Sequence, residues 1–233
     1  MKSNREGRVS MSAESQYLVE LHNVVLRSDR GGSVFKDLTF SLEAGHSAMI
    51  AGGSGTGKSS LLDLILGKKA PQAGSVEVFG KMLNAKSKGQ LRRIRRRIGG
   101  VGGPFGLIPT MTVSENILLP LVIAGERTVT QKERLVRTLS ELSLLSHASE
   151  YPAQLTRVQA TLVQIARSTI ANQPLVLIDE PSAGLDRATV ALVFEFLFKV
   201  AASGRSLVIV SSEMPPHELP NAKKYTITDG VLA

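Results

Sequence analysis

The sequence predicts an α/β fold with a core of buried parallel strands, an antiparallel β subdomain before it and a helical subdomain inserted into it. Apolar and polar residues alternate through 34–42, as in a strand with one buried face. Short apolar runs at 175–178 and 207–210 are typical of parallel strands buried on both faces. Leucines spaced three or four residues apart after Gln131 predict an amphipathic helix between these regions.

Turn residues separate the predicted elements. Gly31 and Gly32 part the first two strands, Gly67 ends the first helix, and a glycine- and proline-rich loop is predicted over 99–109. The predicted strands are 17–28, 34–42, 48–51, a short one through Val76 and Val78, 175–178 and 207–210; the predicted helices are 59–66, one from about Gln131, and 189–201.

One domain with a short lead-in is expected. Residues 1–16 are polar and basic and are predicted to be a flexible lead-in, and residues 17–233 are predicted to form a single domain. The inserted helical lobe is predicted over about 86–167. The longest nearly apolar stretch, 117–125, is too short to cross a bilayer and contains Pro120, so no membrane span is predicted.

Composition narrows the classes of partner. Hydrophobic residues make up 42% of the 233-residue chain, which predicts a packed core. The net charge of +8 favours anionic partners, which leaves nucleotides, anionic lipids and nucleic acids open. Aromatic residues make up only 4%, which argues against a platform that stacks single-stranded bases. The absence of cysteine excludes disulfides and thiolate metal sites.

The strongest motif is the segment GGSGTGKS at 52–59, which matches the phosphate-binding loop in full. Its glycines let backbone N–H groups turn toward phosphate oxygens, and the following helix adds its positive end. Lys58 would supply a charge to the β- and γ-phosphates, and the Ser59 hydroxyl would bind Mg²⁺. The predicted nucleotide-binding residues are Gly52, Gly53, Ser54, Gly55, Thr56, Gly57, Lys58, Ser59 and Ser60.

Two carboxylates follow the apolar run at 175–178. They lie at the edge where open α/β sheets bind ligands. Asp179 is predicted to hold Mg²⁺ together with Ser59, and Glu180 is the candidate catalytic base that polarises an attacking water. With the phosphate loop upstream, this pair predicts a P-loop NTPase core that binds ATP and Mg²⁺.

The order of these motifs resembles the ATP-binding subunits of ABC transporters, from about residue 18 to the end. The resemblance implies the ABC ATPase architecture and an ATP sandwiched between two subunits. Segment 112–121 resembles the lipoprotein-release, macrolide-export and cell-division branch. Three further stretches match the family. One is Pro181-Ser182-Ala183-Gly184-Leu185-Asp186, which resembles the D-loop. The other two lie around the signature and are Tyr151-Pro152-Ala153-Gln154-Leu155 and Ile165-Ala166-Arg167.

Several positions depart from the family pattern. The LSGGQ signature is replaced by Leu155-Thr156-Arg157-Val158-Gln159, and the Q-loop glutamine position falls on Gly103. The switch histidine is placed on Glu213, whose carboxylate would repel the γ-phosphate. The aromatic that stacks on adenine is replaced, with Ser28 at the nearest matching position. Hydrolysis is therefore expected to be impaired, unless Arg157 reaches the γ-phosphate of the opposite site as an arginine finger does.

The resemblance implies an ATP-binding subunit that hydrolyses MgATP, at an ordinary or a reduced rate, to drive a membrane permease. The alternative is an ATP-dependent dimerising regulator of a membrane complex, similar to the cell-division relatives, with little turnover. The implied partners are an integral membrane permease and a second ATPase, either a copy of this chain or a relative. The implied location is cytoplasmic, peripheral on the inner face of the membrane. A nucleic-acid partner is disfavoured, and the arginines at 92–97 are expected to form a solvated helix face.

Overall fold

The computed structural model of the chain describes residues 16–28, 31–83 and 87–233. The predicted lead-in lies outside these residues except for Gln16, and so does Lys86, the first residue of the predicted lobe. Among the described residues, no helix combines the length and the apolar character that a membrane crossing needs.

The described residues contain ten strands, which form two sheets. A four-stranded antiparallel sheet has the order β2-β1-β4-β5, and a six-stranded sheet has the order β10-β9-β3-β8-β7-β6. The strands are β1 (Tyr17–Arg27), β2 (Ser33–Glu43), β3 (Ser47–Ala51), β4 (Ala73–Val78), β5 (Lys81–Met82), β6 (Ile98–Val101), β7 (Leu175–Asp179), β8 (Ser206–Ser211), β9 (Ala222–Thr228) and β10 (Val231–Leu232).

Within the part of the chain that the structure describes, six α-helices connect and cover the sheets. They are α1 (Lys58–Ile65), α2 (Lys88–Arg96), α3 (Val113–Ala124), α4 (Thr128–Glu141), α5 (Arg157–Thr169) and α6 (Arg187–Ala202), with short 3₁₀ turns at Leu145–His147 and Pro152–Gln154. The predicted α/β fold, with its antiparallel β subdomain and helices inserted before β7, is confirmed.

The parallel sheet separates two apolar clusters. Neighbouring strand residues point to opposite faces, so Ile50 of β3 joins the cluster beneath the antiparallel sheet and α1, whereas Met49 joins the cluster beneath the other helices. All residues of β3, β7 and β8 are buried, as the continuous apolar runs predict.

The helix α2 carries the arginine cluster. Leu91 and Ile94 are buried beneath it, while its arginines are exposed, so the predicted solvated face is confirmed. Arg95 nevertheless has a structural contact, because its guanidinium donates to the carbonyl oxygens of Leu66 at 2.8 Å and Gly67 at 2.9 Å. These bonds satisfy carbonyls at the carboxyl end of α1, where a cation is favoured.

The predicted loop over 99–109 is wrong at its start. Ile98–Val101 is the edge strand of the parallel sheet, paired with β7. Its two glycines conceal the strand pattern. Gly99 is required because α5 packs closely, and a β-carbon there would lie 2.0 Å from the Ser168 carbonyl oxygen. A β-carbon on Gly100 would lie 2.1 Å from the Phe105 ring. The range 86–167 therefore contributes one strand to the core sheet as well as helices.

Five of the described elements have no sequence prediction: α3, α5, β5, β9 and β10. The helix α3 begins with a capping box, in which Thr112 accepts from the Glu115 N–H and the Glu115 carboxylate accepts from the Thr112 N–H. That Thr-x-x-Glu spacing is a sequence signal for the start of this helix. The exposed positions of β9 are lysines and threonines, and β10 is only two residues long, so no apolar run marks either strand.

The close approach of β6 to α5 gives a stability prediction. We expect Gly99→Ala to lower the free energy of unfolding by about 1–3 kcal/mol, because the added methyl group must displace helix backbone. Gly89 in α2 has open space around its β-carbon position, so Gly89→Ala should instead raise the free energy of unfolding by about 0.5–1 kcal/mol. Urea unfolding of both variants measures the two signs, and equal effects would contradict this account of Gly99.

Candidate active site

The phosphate loop connects the buried strand β3 to α1. Gly57 precedes the helix with φ +108°, and a β-carbon there would lie 2.8 Å from the Phe35 ring, so this position requires glycine. Gly57 provides no side-chain cap for the helix. The N–H groups of the first turn are thus free to bind an anion, and the helix dipole favours one.

The side chain of Lys58 folds back onto the phosphate loop that precedes it. Its ammonium group donates to the carbonyl oxygens of Gly52 at 2.5 Å and Gly53 at 2.9 Å, and it lies 3.8 Å from the Glu180 carboxylate. The side chain is only 8% exposed. A buried cation held beside the N-terminus of a helix makes this corner of the molecule strongly attractive to phosphate.

Asp179 and Ser59 bring two distant parts of the chain together. The Ser59 hydroxyl donates to Asp179 Oδ2 at 3.1 Å. Burial raises the pKa of the Asp179 carboxyl, an effect that the Ser59 hydrogen bond opposes and the nearby Glu180 charge reinforces. One hydroxyl and one carboxylate beside a phosphate site fit Mg²⁺, which takes oxygen ligands and commonly uses few protein groups together with phosphates.

Glu180 has an unusual backbone for a residue other than glycine, with φ +52°. Its N–H donates to the Val210 carbonyl at 2.9 Å, and its Oε1 accepts from the Ser212 hydroxyl at 2.6 Å. Backbone conformations of this kind concentrate at functional sites. Here the turn aims the carboxylate away from the sheet and toward the phosphate loop.

These side chains line one cleft of about 480 Å³ at the carboxyl edge of the parallel sheet. Of the predicted residues, Gly52 and Gly53 contribute carbonyl contacts to Lys58, and Thr56 bonds to Gly53. Val34 and Ser212 lie in the cleft without having been predicted. The lining residues are Val34, Ser54, Gly55, Gly57, Lys58, Ser59, Ser60, Gly103, Asp179, Glu180 and Ser212.

The predicted switch position is wrong by one residue. Ser212 lines the cleft and donates to Glu180, whereas the Glu213 side chain is exposed and does not line the cleft. The cause is the end of β8: Ser211 is the last strand residue, and its hydroxyl donates to the Glu213 carbonyl, which turns the chain away. The Glu213 carboxylate is therefore not placed in the cleft where the sequence predicts its repulsion of the γ-phosphate.

Gly103 lies directly beside the carboxylates. It has φ +41°, and a β-carbon there would lie 2.7 Å from Asp179 Oδ2. Gly103 therefore contributes no side chain to this part of the cleft. Ser28, the predicted adenine position, does not line the cleft, and its hydroxyl instead accepts from the Gly32 N–H at 3.1 Å.

The signature segment begins α5. Thr156 caps the helix by accepting from the Gln159 N–H at 3.2 Å, and Gln159 accepts in return from the Thr156 N–H at 2.8 Å. The Arg157 guanidinium packs against Gly184, where a β-carbon would lie 2.8 Å from Nη1. Within the described residues, this guanidinium has no ion pair or hydrogen bond.

The raised pKa of Asp179 gives a pH prediction. The folded protein holds this proton more tightly than the unfolded chain, so stability falls as the pH rises from the ordinary aspartate pKa of about 3.9 through the raised value. Without nucleotide, Asp179→Asn should melt above the wild type at neutral pH, and the difference should vanish at low pH.

The matched control is Asp186→Asn, since hydrogen bonds to Thr189 lower the pKa of Asp186 at the start of α6. This substitution should lower the thermal midpoint at neutral pH, opposite in sign to Asp179→Asn. Differential scanning calorimetry across the pH range measures both. A midpoint for Asp179→Asn at or below that of the wild type at pH 7 would contradict the assigned cost of the ionised carboxylate.

Comparisons with known proteins agree with this geometry. Residues 35–183 match the family described as ABC transporter. The chain is 34% identical over 185 residues to a methionine import ATP-binding protein, MetN, of Caulobacter vibrioides, covering 79% of this chain and 56% of that one. It is 32% identical over 201 residues to the ABC transporter ATP-binding protein YtrE of Bacillus subtilis, covering 85% and 87%.

A solved relative shows the same architecture. The dimeric post-hydrolysis state of the ATP-binding cassette MJ0796, bound to ADP and Pi, superposes with a TM-score of 0.80 at 29% identity, covering 92% of this chain and 96% of that one. This chain spans only about half the length of the methionine-import relatives, 56% and 53% of two of them. The chain belongs to the ABC transporter family, as an ATP-binding domain with that family's P-loop fold.

Proposed function

We propose that this chain binds MgATP in the 480 Å³ cleft and hydrolyses it, as the ATP-binding subunit of an ABC-type transporter. The observation that carries the proposal is the convergence of Lys58, Ser59, Asp179 and Glu180 on that one cleft. The end of β7 supplies the two carboxylates and the N-terminus of α1 supplies Lys58 and Ser59, so their meeting depends on the whole fold.

The phosphate-binding role falls to the loop and the start of α1. The N–H groups of the first turn and the Lys58 ammonium would bind the β- and γ-phosphate oxygens. Ser59 and Asp179 would hold Mg²⁺, which when bound neutralises charge on those oxygens. The hydrogen bond between these two residues keeps their oxygens within reach of one ion.

Glu180 would act as the general base. Its carboxylate is partly exposed to the cleft, with 32% of the side chain accessible, and it is held by Ser212 on one side and faces Lys58 on the other. A carboxylate fixed in this way can accept a proton from water and orient that water toward the γ-phosphate. The same contacts keep the carboxylate directed into the cleft.

The assembly is proposed from the relatives. The cassette MJ0796 forms a dimer, and we propose that this chain likewise dimerises, with itself or with a related ATPase, and docks at the inner face of the membrane on a permease partner. In this arrangement Thr156 and Arg157 would face the nucleotide of the other subunit. Residues 17–233 form the nucleotide-binding domain of this proposal, with the helical lobe within 86–167.

The phosphate site gives the first test of function. We expect Lys58→Ala to abolish MgATP binding measured by calorimetry, because the cleft loses its buried cation. We expect Glu180→Gln to retain binding but to lower turnover by about 10²-fold or more, because a positioned base is lost. Lys199→Ala, on the exposed face of α6, is the matched control and should change neither. Unchanged affinity in Lys58→Ala would reject the nucleotide site.

The position of Ser212 gives a second test. The ABC resemblance implies a histidine after the last buried strand, and the structure brings Ser212, not Glu213, into contact with Glu180. We expect Ser212→His to raise steady-state turnover by about tenfold or more, since a positioned donor then faces the γ-phosphate. Glu213→His places the same ring at an exposed position and should leave turnover unchanged. A gain in Glu213→His alone would mean that the sequence-based position is the functional one.

A further inference from the structure

A second cavity of about 240 Å³ adjoins the nucleotide cleft. The two share Gly103, Asp179 and Glu180. A volume of this size holds several water molecules, each of which occupies about 30 Å³ in the liquid. The remaining lining residues come from the β6 end and from one face of α5 and the segment after β7: Val101, Gly102, Arg157, Ala160, Thr161, Gln164 and Ala183.

Gln164 is oriented by the loop that follows β6. Its Oε1 accepts from the Gly102 N–H at 2.7 Å. Within the described part of the chain this is the only hydrogen bond of the side chain, so the two N–H donors of the carboxamide have no protein partner. The Oε1 end of the carboxamide is therefore fixed, and its N–H groups are available to donate to a molecule in the cavity.

The loop that follows β6 provides no side-chain donor at Gly103, because a β-carbon there would come within 2.7 Å of Asp179 Oδ2. The other polar side chains of α5 that line the cavity make contacts within the protein. The Thr161 hydroxyl donates to the Arg157 carbonyl at 3.0 Å, and the Arg157 guanidinium packs on Gly184. Among the side chains of α5 that line this cavity, Gln164 is thus the uncharged one with N–H groups available to donate beside Asp179 and Glu180.

We propose that Gln164 supplies, from α5, the carboxamide donor that position 103 lacks, and that it orients the attacking water beside Glu180. The proposal rests on the proposed ATP hydrolysis. It assigns the role to a helix held rigidly by the core, because Ile165 and Ala166 next to Gln164 are fully buried. Arg167 on the same helix also holds the loop, since its guanidinium donates to the carbonyl oxygens of Phe105 and Gly106.

The rival explanation is that Gln164 only anchors the loop through Gly102. Two variants separate these roles. Gln164→Glu keeps an oxygen that accepts from the Gly102 N–H but has no donor when ionised, and Gln164→Met has neither group. Gln131→Met in α4 is the matched control, because the Gln131 carboxamide bonds to the Glu126 carbonyl and lines neither cavity.

The experiment measures kcat and the MgATP dissociation constant, and also the affinity for MgADP with orthovanadate, which mimics the transition state. We expect Gln164→Met and Gln164→Glu each to lower kcat about 10- to 100-fold and to weaken vanadate-complex binding by a similar factor. For Gln164→Met, affinity for MgATP should stay within about twofold of the wild type. The Gln131→Met control should match the wild type in all three measurements.

Three outcomes would overturn the inference: full activity in Gln164→Met, loss in Gln164→Met with full activity in Gln164→Glu, or a vanadate affinity that neither variant changes. The second outcome assigns Gln164 to the anchor alone. If the wild type binds MgATP but shows no turnover, the proposed hydrolysis fails. The vanadate affinities then still decide the role of Gln164, since they require binding rather than turnover.

Discussion

The register of the parallel strands is the constraint on which the site depends. The central strand β8 pairs with β3 on one side and β7 on the other, so that Ala51 lies opposite Ser211 and Asp179 lies opposite Val210. All three strands therefore end at nearly the same level. The phosphate loop, the two carboxylates and Ser212 leave the sheet together, and a slip by one residue would turn alternate side chains to the opposite face.

The charges gathered at this edge are balanced by neighbours within the domain. Lys58 is surrounded by two carbonyl oxygens and the Glu180 carboxylate, and Asp179 has the Ser59 hydroxyl. Burial still disfavours the ionised Asp179, so the arrangement is less stable than an apolar edge would be. Sites that bind charged ligands commonly accept this loss of stability, because the same unfavourable field becomes favourable when the ligand arrives.

The sequence predicts the parts of this site that local patterns encode. The phosphate loop is a contiguous motif, and Asp179 follows an apolar run, so both are visible without the fold. Ser212 is not, because the register of the residues after β8 depends on where the strand ends, and two serines followed by a glutamate give no signal of that end. The edge strand β6 is hidden by Gly99 and Gly100. Their close contacts with α5 and with the Phe105 ring are present only in the tertiary structure.

The glycines between β6 and the following loop also bear on how this chain can change over generations. A β-carbon on Gly100 would lie 2.1 Å from the Phe105 ring, and one on Gly102 would lie 2.0 Å from the Asp179 carbonyl oxygen. A side chain at either position needs a second, simultaneous substitution or a moved strand. A single substitution by a larger residue at either position is therefore expected to disturb folding, so this loop can gain a side chain only through coupled changes elsewhere.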